Sequence, residues 1–280
     1  MSKLVNIVSW NVNGLCRRLI NGDIDTLLFG EDTNGVAHDI DILCLQETKT
    51  RRGDEELQIN LRTRIKKKFP YRYWQSTHGT TQRKGLSGTT IWSSIKPVRE
   101  IPPPESDEQG RITALEFPKF ILVSVYTPNS GSQKDYRGEE WHISFSKYIS
   151  ELRETKPTYI CGDFNVCHLD IDINNVKRNK NKKAGFFDFE REQFQEYLDL
   201  GYTDVFRSYY PDELNAFTWW SSFRASNREN NTGWRLDYFL ASHHGKDIPA
   251  SFPQILQCEH LTKVMGSDHC PTKIIVKQAR

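Results

Sequence analysis

Tyr159-Ile160-Cys161-Gly162-Asp163-Phe164-Asn165 is the stretch on which the reading of this chain turns. It opens as an apolar run after Pro157, breaks at Gly162 and delivers Asp163 and Asn165. A buried strand that stops at a glycine and presents a carboxylate and an amide can hold polar chemistry on a rigid support. Side chains two apart in an extended chain point the same way, so Asp163 and Asn165 can share one face. Gly-Asp-x-Asn is equally a good turn sequence. The motif gains chemical meaning only if other segments bring partners to it.

Outward from this stretch, the pattern recurs. Residues 4–10 read as a strand running into Asn11-Val12-Asn13-Gly14, and 41–47 as a second buried strand ending in Glu47. Residues 71–75 and 89–93 are strands. Residues 111–117 and 120–126 read as a hairpin whose second strand ends in Tyr126-Thr127-Pro128-Asn129. Trp219 and Trp220 fall in an aromatic strand, 222–232 in a polar loop, and 234–240 in a strand containing Asp237. Gly266-Ser267-Asp268-His269-Cys270-Pro271 precedes a closing strand at 272–277. Helices are expected over 23–29, 54–69, 135–155 and 189–200. In the second, Leu57, Leu61, Ile65 and Phe69 recur every four residues. The third carries Trp141, Phe145, Tyr148, Ile149 and Leu152 on one face. Residues 30–39 read as an inserted loop. Many short strands with a few long helices, and no linker or repeat, argue one α/β or α+β domain of packed sheets over residues 1–280.

Hydrophobic residues make up 37% of the 280, which excludes a wholly disordered chain. No apolar run approaches the ~20 residues that span a bilayer, and Met1-Ser2-Lys3 begins no signal peptide. Six cysteines without a Cys-x-x-Cys pair point to a reduced protein without a zinc site. An intracellular protein of nucleus or cytoplasm, not secreted, is the expectation. The net charge of +2 creates no global field for nucleic acid. Local clusters do exist: Lys177, Arg178, Lys180, Lys182 and Lys183 among asparagines, Lys66-Lys67-Lys68, and Arg51-Arg52. Each alone reads as solvated surface; together they suit a phosphate-facing surface.

Strand after strand therefore ends in a polar residue of catalytic type: Asn11, Glu47, Tyr126, Asp163 with Asn165, and Asp268 with His269, while Asp237 sits inside a strand. Singly, Tyr126 reads as a core tyrosine with its hydroxyl at the rim, Asp237 as a partner of nearby Arg235, and Asp268-His269 as a turn. Gathered at one edge of packed sheets, they would form a polar cleft. Hard oxygen ligands such as Glu47 and Asp268 suit Mg²⁺, which keeps waters and uses one or two carboxylates plus substrate phosphate. A histidine held by a carboxylate can orient water or a phosphate oxygen. Amides and a tyrosine hydroxyl can stabilise charge building on non-bridging oxygens. No Walker loop and no His-Glu-x-x-His is present. The set is what metal-assisted phosphodiester hydrolysis needs.

The segments Trp10-Asn11-x-Asn13-Gly14, Leu45-Gln46-Glu47-Thr48-Lys49, Gly110-Arg111, Tyr126-x-Pro128-Asn129, Gly162-Asp163-Phe164-Asn165, 181–186, Trp234-Arg235-Leu236-Asp237-Tyr238 and Gly266 to Pro271 occur in an order that resembles the exonuclease III class of apurinic/apyrimidinic endonucleases. This class lies within the endonuclease/exonuclease/phosphatase superfamily. The last two segments look closer to its animal-type branch. The resemblance implies a four-layer αββα sandwich of two mixed sheets. It implies Mg²⁺-dependent cleavage (Mn²⁺ as a substitute) 5′ to an abasic site in double-stranded DNA, with 3′–5′ exonuclease or 3′-phosphodiesterase companion activity, by a monomer.

By the same resemblance, Glu47 is the principal metal ligand, with Asp268 and Asn13 near the ion and Asn11, Asp163, Asn165 and His269 completing the set that can reach it. Asp163 is the base for water, oriented by Asn11; Asn165 contacts the scissile phosphate; Asp237 pairs with His269. Tyr126 hydrogen-bonds phosphate, or as phenolate helps the leaving group. Asn129, Lys180, Lys182 and Lys183 contact DNA, and Trp219 and Trp234 line a pocket for the flipped-out abasic sugar. Three departures stand out. Asn13 occupies a position where animal members usually carry Asp, the 30–39 insertion has no counterpart, and the redox-regulatory N-terminal segment of the animal enzymes is missing. Two other readings compete: a general nuclease or phosphodiesterase of the same superfamily, and a catalytically dead DNA-binding adaptor. The complete polar set speaks against the adaptor.

Overall fold

The computed structural model describes residues 3–30, 38–50, 62–77, 85–243 and 252–278. Its frame is set by side-chain alternation. In β1 (Leu4–Asn11), Val5, Ile7, Ser9 and Asn11 point to one face and Val8 and Trp10 to the other. In β2 (Ile42–Gln46), Ile42 and Cys44 share the first face, and Leu43 and Leu45 the second. The first face of this sheet packs on the equivalent face of a second sheet, where β7 (Ile121–Tyr126) brings Leu122, β8 (Thr158–Asp163) brings Tyr159 and Cys161, and β10 (Asp237–Ser242) brings Phe239 and Ala241.

Each sheet has six strands. The first runs β11-β12-β1-β2-β4-β3, the second β5-β6-β7-β8-β10-β9. The remaining strands are β3 (Tyr71–Gln75), β4 (Thr89–Ser93), β5 (Arg99–Ile101), β6 (Ile112–Glu116), β9 (Tyr202–Asp204), β11 (Gln254–His260) and β12 (Thr272–Lys277). Parallel pairs β1–β2 and β7–β8 sit inside otherwise antiparallel sheets, so both sheets are mixed. Helices cover the outer faces. On the first sheet, α1 (Leu15–Asn21) and α2 (Asp23–Phe29) put Leu15, Leu19, Ile24, Leu27 and Leu28 against Val8, Trp10, Leu43 and Leu45. On the second, Trp141, Phe145, Ile149, Phe194 and Tyr197 cover Val123, Val125, Ile160 and Leu240. The four-layer arrangement is the one expected. No helix among the described residues is long and apolar enough to cross a membrane.

Several boundaries differ from expectation. The strand through Gly162 does not break there; β8 continues to Asp163, in parallel register with Tyr126. Gly162 has φ +141, and a Cβ would fall 1.9 Å from the Val125 carbonyl oxygen, so only glycine lets the two strands close at this point. Trp219 and Trp220 form no strand: Trp219 makes isolated bridges to Trp234 and His269. β10 begins at Asp237 and leaves Trp234 to Leu236 outside it. The long helix starts earlier, at Ser130–Asp135, and reaches His142–Thr155 through a widened turn. The polar loop contains a short turn of helix, Ser226–Glu229. The helix expected over 54–69 is seen as Thr63–Lys68, with Ile65 and Phe69 buried; Leu57, Leu61 and most of the 30–39 loop lie outside the described residues.

Candidate active site

The inner faces of the two sheets run out of hydrophobic side chains at one end. Behind Ile7, Cys44, Leu122, Cys161 and Phe239 comes a polar layer, in which the Gln46 amide donates to Ser124 across the sheets at 2.9 Å and to Ser9 at 3.1 Å. One step further along the same alternation lie Asn11, Tyr126, Asp163 and Asp237. Tyr126, Asp163 and Asp237 are cross-strand neighbours on three adjacent strands. The site is thus the wet end of the sandwich core.

Glu47 and its neighbours need unusual backbone. Asn13, Glu47, Lys49 and Asn165 all have φ between +46 and +52, a conformation that costs of order 1 kcal/mol or more per residue and persists where surroundings over-determine it. Here they do: Val12 and Gly14 donate to the carbonyls of Gln46 and Glu47 at 3.0 and 2.8 Å, and Lys49 donates to Ser87 at 2.8 Å.

The side chains then interlock. Asn11 donates to Glu47 Oε1 at 2.8 Å and to Asp163 Oδ2 at 2.9 Å, while its own oxygen accepts from the Asn13 backbone. His269 Nδ1 lies 2.8 Å from Asp237 Oδ2, and Nε2 lies 3.9 Å from Asp163 Oδ2. Asp237 therefore pairs with histidine and not with Arg235, whose guanidinium goes to Asp172 and Asp204. Asn165 gives its backbone N–H to Asp163, its side-chain N–H to the Thr127 carbonyl, and accepts from Asn129. Asp268 is held at both oxygens, by Asn13 at 3.0 Å and by the Trp219 indole at 3.2 Å.

Burial pushes the Asp163 carboxyl up to about 7; Asp237 and Glu47 add to this and His269 opposes it. Burial works against the His269 imidazolium, but Asp237, Asp163 and Asp268 outweigh it and raise the group to about 10. Burial, Glu47 and Asp163 hold the Tyr126 phenol well above its ordinary value.

Ligand atoms of Glu47, Asp163 and His269 lie within 4.8 Å of one another. Next to Glu47, Asp163 and Asp237 the structure places the His269 imidazole and the Lys49 ammonium, two cations for three carboxylates among the described contacts, so the donor set fits an added cation. Lys49 was not expected as a site residue. Its ammonium sits 2.7 Å from Glu47 Oε2 and 2.6 Å from Asn13 Oδ1; the nearest hint was its place in Glu47-Thr48-Lys49.

Glu47, Tyr126, Asp163, Asn165, Asp268 and His269 line an open pocket of about 680 Å³ together with the apolar Trp219, Phe223, Trp234 and Leu236 and the exposed Asn129, Arg178 and Lys183. Trp219 and Trp234 meet edge to face at 5.6 Å. Gly185, at φ +88, lets the basic segment approach; a Cβ there would lie 3.1 Å from the Trp234 ring. Lys180 and Lys182 are exposed but lie off the pocket lining, whereas Arg178 of the same basic cluster belongs to it, as does Phe223, which was not expected.

The profile of the endonuclease/exonuclease/phosphatase family matches residues 8–269. An exodeoxyribonuclease of Bacillus subtilis is 40% identical over 278 residues, covering 97% of this chain and 99% of that one. The DNA repair nuclease APEX1 of Danio rerio is 36% identical over 278 residues, covering 97% of this chain and 82% of its own. The crystal structure of the AP endonuclease LMAP from Leishmania major superposes with a TM-score of 0.76 at 27% identity, covering 99% of this chain and 88% of that one.

Proposed function

The chain belongs to the endonuclease/exonuclease/phosphatase family, and from that premise we propose a DNA-repair AP endonuclease that hydrolyses the phosphodiester 5′ to an abasic site, with 3′-end processing as a companion activity. The observation that carries the reading is the buried Asp163–His269–Asp237 couple at the floor of a pocket with an aromatic wall.

Glu47 would hold a divalent cation, Mg²⁺ or Mn²⁺, with Asp268 and Asn13 beside it; the ion supplies Lewis-acid stabilisation of charge on the scissile phosphate. The chain does the rest. Asp163, ionised and fixed by Asn11 and the Asn165 backbone, takes a proton from the attacking water. Its raised proton affinity makes it a better acceptor than an ordinary carboxylate. His269, kept as imidazolium by Asp237, places positive charge beside the developing pentacovalent phosphate. Tyr126 and the spare N–H of Asn129 and Asn165 donate to phosphate oxygens. Trp219, Trp234 and Leu236 would give a flipped-out, base-free sugar an apolar wall to dock on, and flipping costs less where no base is unstacked. Arg178 and Lys183 meet the backbone phosphates. We place the enzyme inside the cell, as a single-domain monomer.

The test is incision of a duplex with one abasic analogue, in Mg²⁺ and in chelator. Cleavage of that strand in Mg²⁺ alone is expected. Equal cutting of intact duplex would mean a general nuclease, and binding without cutting an adaptor.

A further inference from the structure

We propose that Lys49 is the resident counter-ion of this site and that a divalent cation takes Glu47 by displacing its ammonium. The proposal rests on the reading that Glu47 holds the metal.

Both oxygens of Glu47 are occupied in the protein: Oε1 accepts from Asn11 and Oε2 from Lys49. The second oxygen on Lys49, Asn13 Oδ1, belongs to one of the two residues placed beside the ion. An ammonium bracketed by two hard oxygens at 2.6 and 2.7 Å stands where an incoming cation would find its ligands. The placement is built in. Lys49 has φ +52, its backbone N–H is fixed on Ser87, and neighbouring Thr48 and Thr50 are buried and share a hydrogen bond. The Lys49 side chain is 36% exposed, so the ammonium can swing out while the backbone stays.

A monovalent ammonium and a divalent ion repel at this range and compete for one oxygen. Lysine thus lowers the affinity of the empty enzyme for metal. Once displaced, its charge faces the cleft, where a phosphodiester would receive it. Metal and substrate phosphate should therefore promote each other's binding, a coupling that works in both directions. Asn13 suits this scheme. A neutral amide accepts from Lys49 and donates to Asp268, where an acid would add repulsion.

The experiment is Mn²⁺ titration of the DNA-free protein, read by electron paramagnetic resonance of the unbound ion. Lys49→Met should bind Mn²⁺ about tenfold tighter than wild type, while Lys49→Arg, which keeps the charge, stays within about threefold. Glu47→Gln should lose the site. Melting in chelator and in Mn²⁺ gives a second reading: Lys49→Met should melt lower in chelator and gain more from Mn²⁺. Unchanged or weaker Mn²⁺ binding in Lys49→Met, with the site still lost in Glu47→Gln, overturns the counter-ion and leaves the metal ligand standing. Wild-type Mn²⁺ binding in Glu47→Gln overturns both. Should Lys49→Met fail to fold, Lys49→Gln answers the same question.

Discussion

Two buried charge clusters lie two residues apart in sequence, one anchored on Arg235 and the other on Asp237, and they are built on opposite terms. Asp172 accepts from Arg235 at 2.8 and 2.9 Å, from Arg207, and from the Leu169 backbone; Arg235 also reaches Asp204 at 2.7 Å. Two guanidiniums serve two carboxylates. Burial alone would raise the Asp172 carboxyl, but Arg235 and Arg207 overcome it and hold the group at about 2. Across the strand, one imidazole serves Asp163 and Asp237 with Glu47 nearby, Asp237 Oδ1 has no partner among the described residues, and Asp163 rises to about 7. Burial is common to both clusters. What differs is the number of fixed cations, and that separates a structural clasp from a group ready to accept a proton.

The sharpest way to break the contrast is to change each cluster by one side chain. Asp163→Asn should lower turnover by about 10²–10⁴-fold, with stability unchanged or slightly raised, because it removes a crowded carboxylate. Arg235→Met should do the reverse. It strands Asp172 and Asp204 and should cost about 3–5 kcal/mol in urea unfolding, with near-normal activity in the fraction that remains folded. Loss of stability in the first variant equal to that in the second would erase the distinction.

The two clusters should also part along the pH axis. Asp163 and His269 have folded values raised above 3.8 and 6.5, so the folded state holds the extra protons. The stability they contribute is complete below those values and is lost as pH rises through about 7 and about 10. Asp172 works the other way: its stabilisation is present above 3.8 and is lost as pH falls towards about 2. From these three groups, metal-free stability should therefore be greatest near pH 4 and decline above it, first through Asp163 and then through His269. Activity needs ionised Asp163 and protonated His269, and should be highest between about 7 and 10. Coincident optima in melting and rate profiles would sink Asp163 as the base.

The smallest effect concerns the rim. Replacing Arg178 and Lys183 with alanine should reduce the salt dependence of DNA binding by about two counterions. The same change at Lys180 and Lys182, which lie off the pocket lining, should move it less. Equal slopes would mean that the whole segment follows the phosphates.

Much of the site was legible because its residues obey a period of two. Alternation along β1, β2, β7 and β8 leads from core hydrophobics to Asn11, Tyr126 and Asp163 without any tertiary knowledge. Pairing was not legible. Arg235 and Asp237 are close in sequence and opposite in charge, yet each takes a partner tens of residues away, since chain proximity does not set side-chain direction at the entry to a strand. Helix α1 was missed because its first turn has no acidic residue and no capping side chain, whereas α2, of the same length, opens on Asp23 and Asp25. The edge strand β11 was missed because exposed residues and an irregularity between Ile255 and Gln257 break its alternation. Trp219 and Trp220 misled in the other direction: strand propensity reflects packing, and here Trp219 packs as a pocket wall and Trp220 with Phe217 and Cys270.

The placement of β12 carries a consequence in time. It is the last of the twelve described strands to be made, and it lies between β11 and β1, the first. A nascent chain that has emerged as far as β10 already carries Asn11, Glu47, Tyr126, Asp163 and Asp237, but it lacks the imidazole and leaves one edge of β1 bare. Domains generally fold as units, so this hydrolase cannot assemble a working centre during synthesis until its closing strand has emerged. Nuclease activity and completion of the first sheet arrive together.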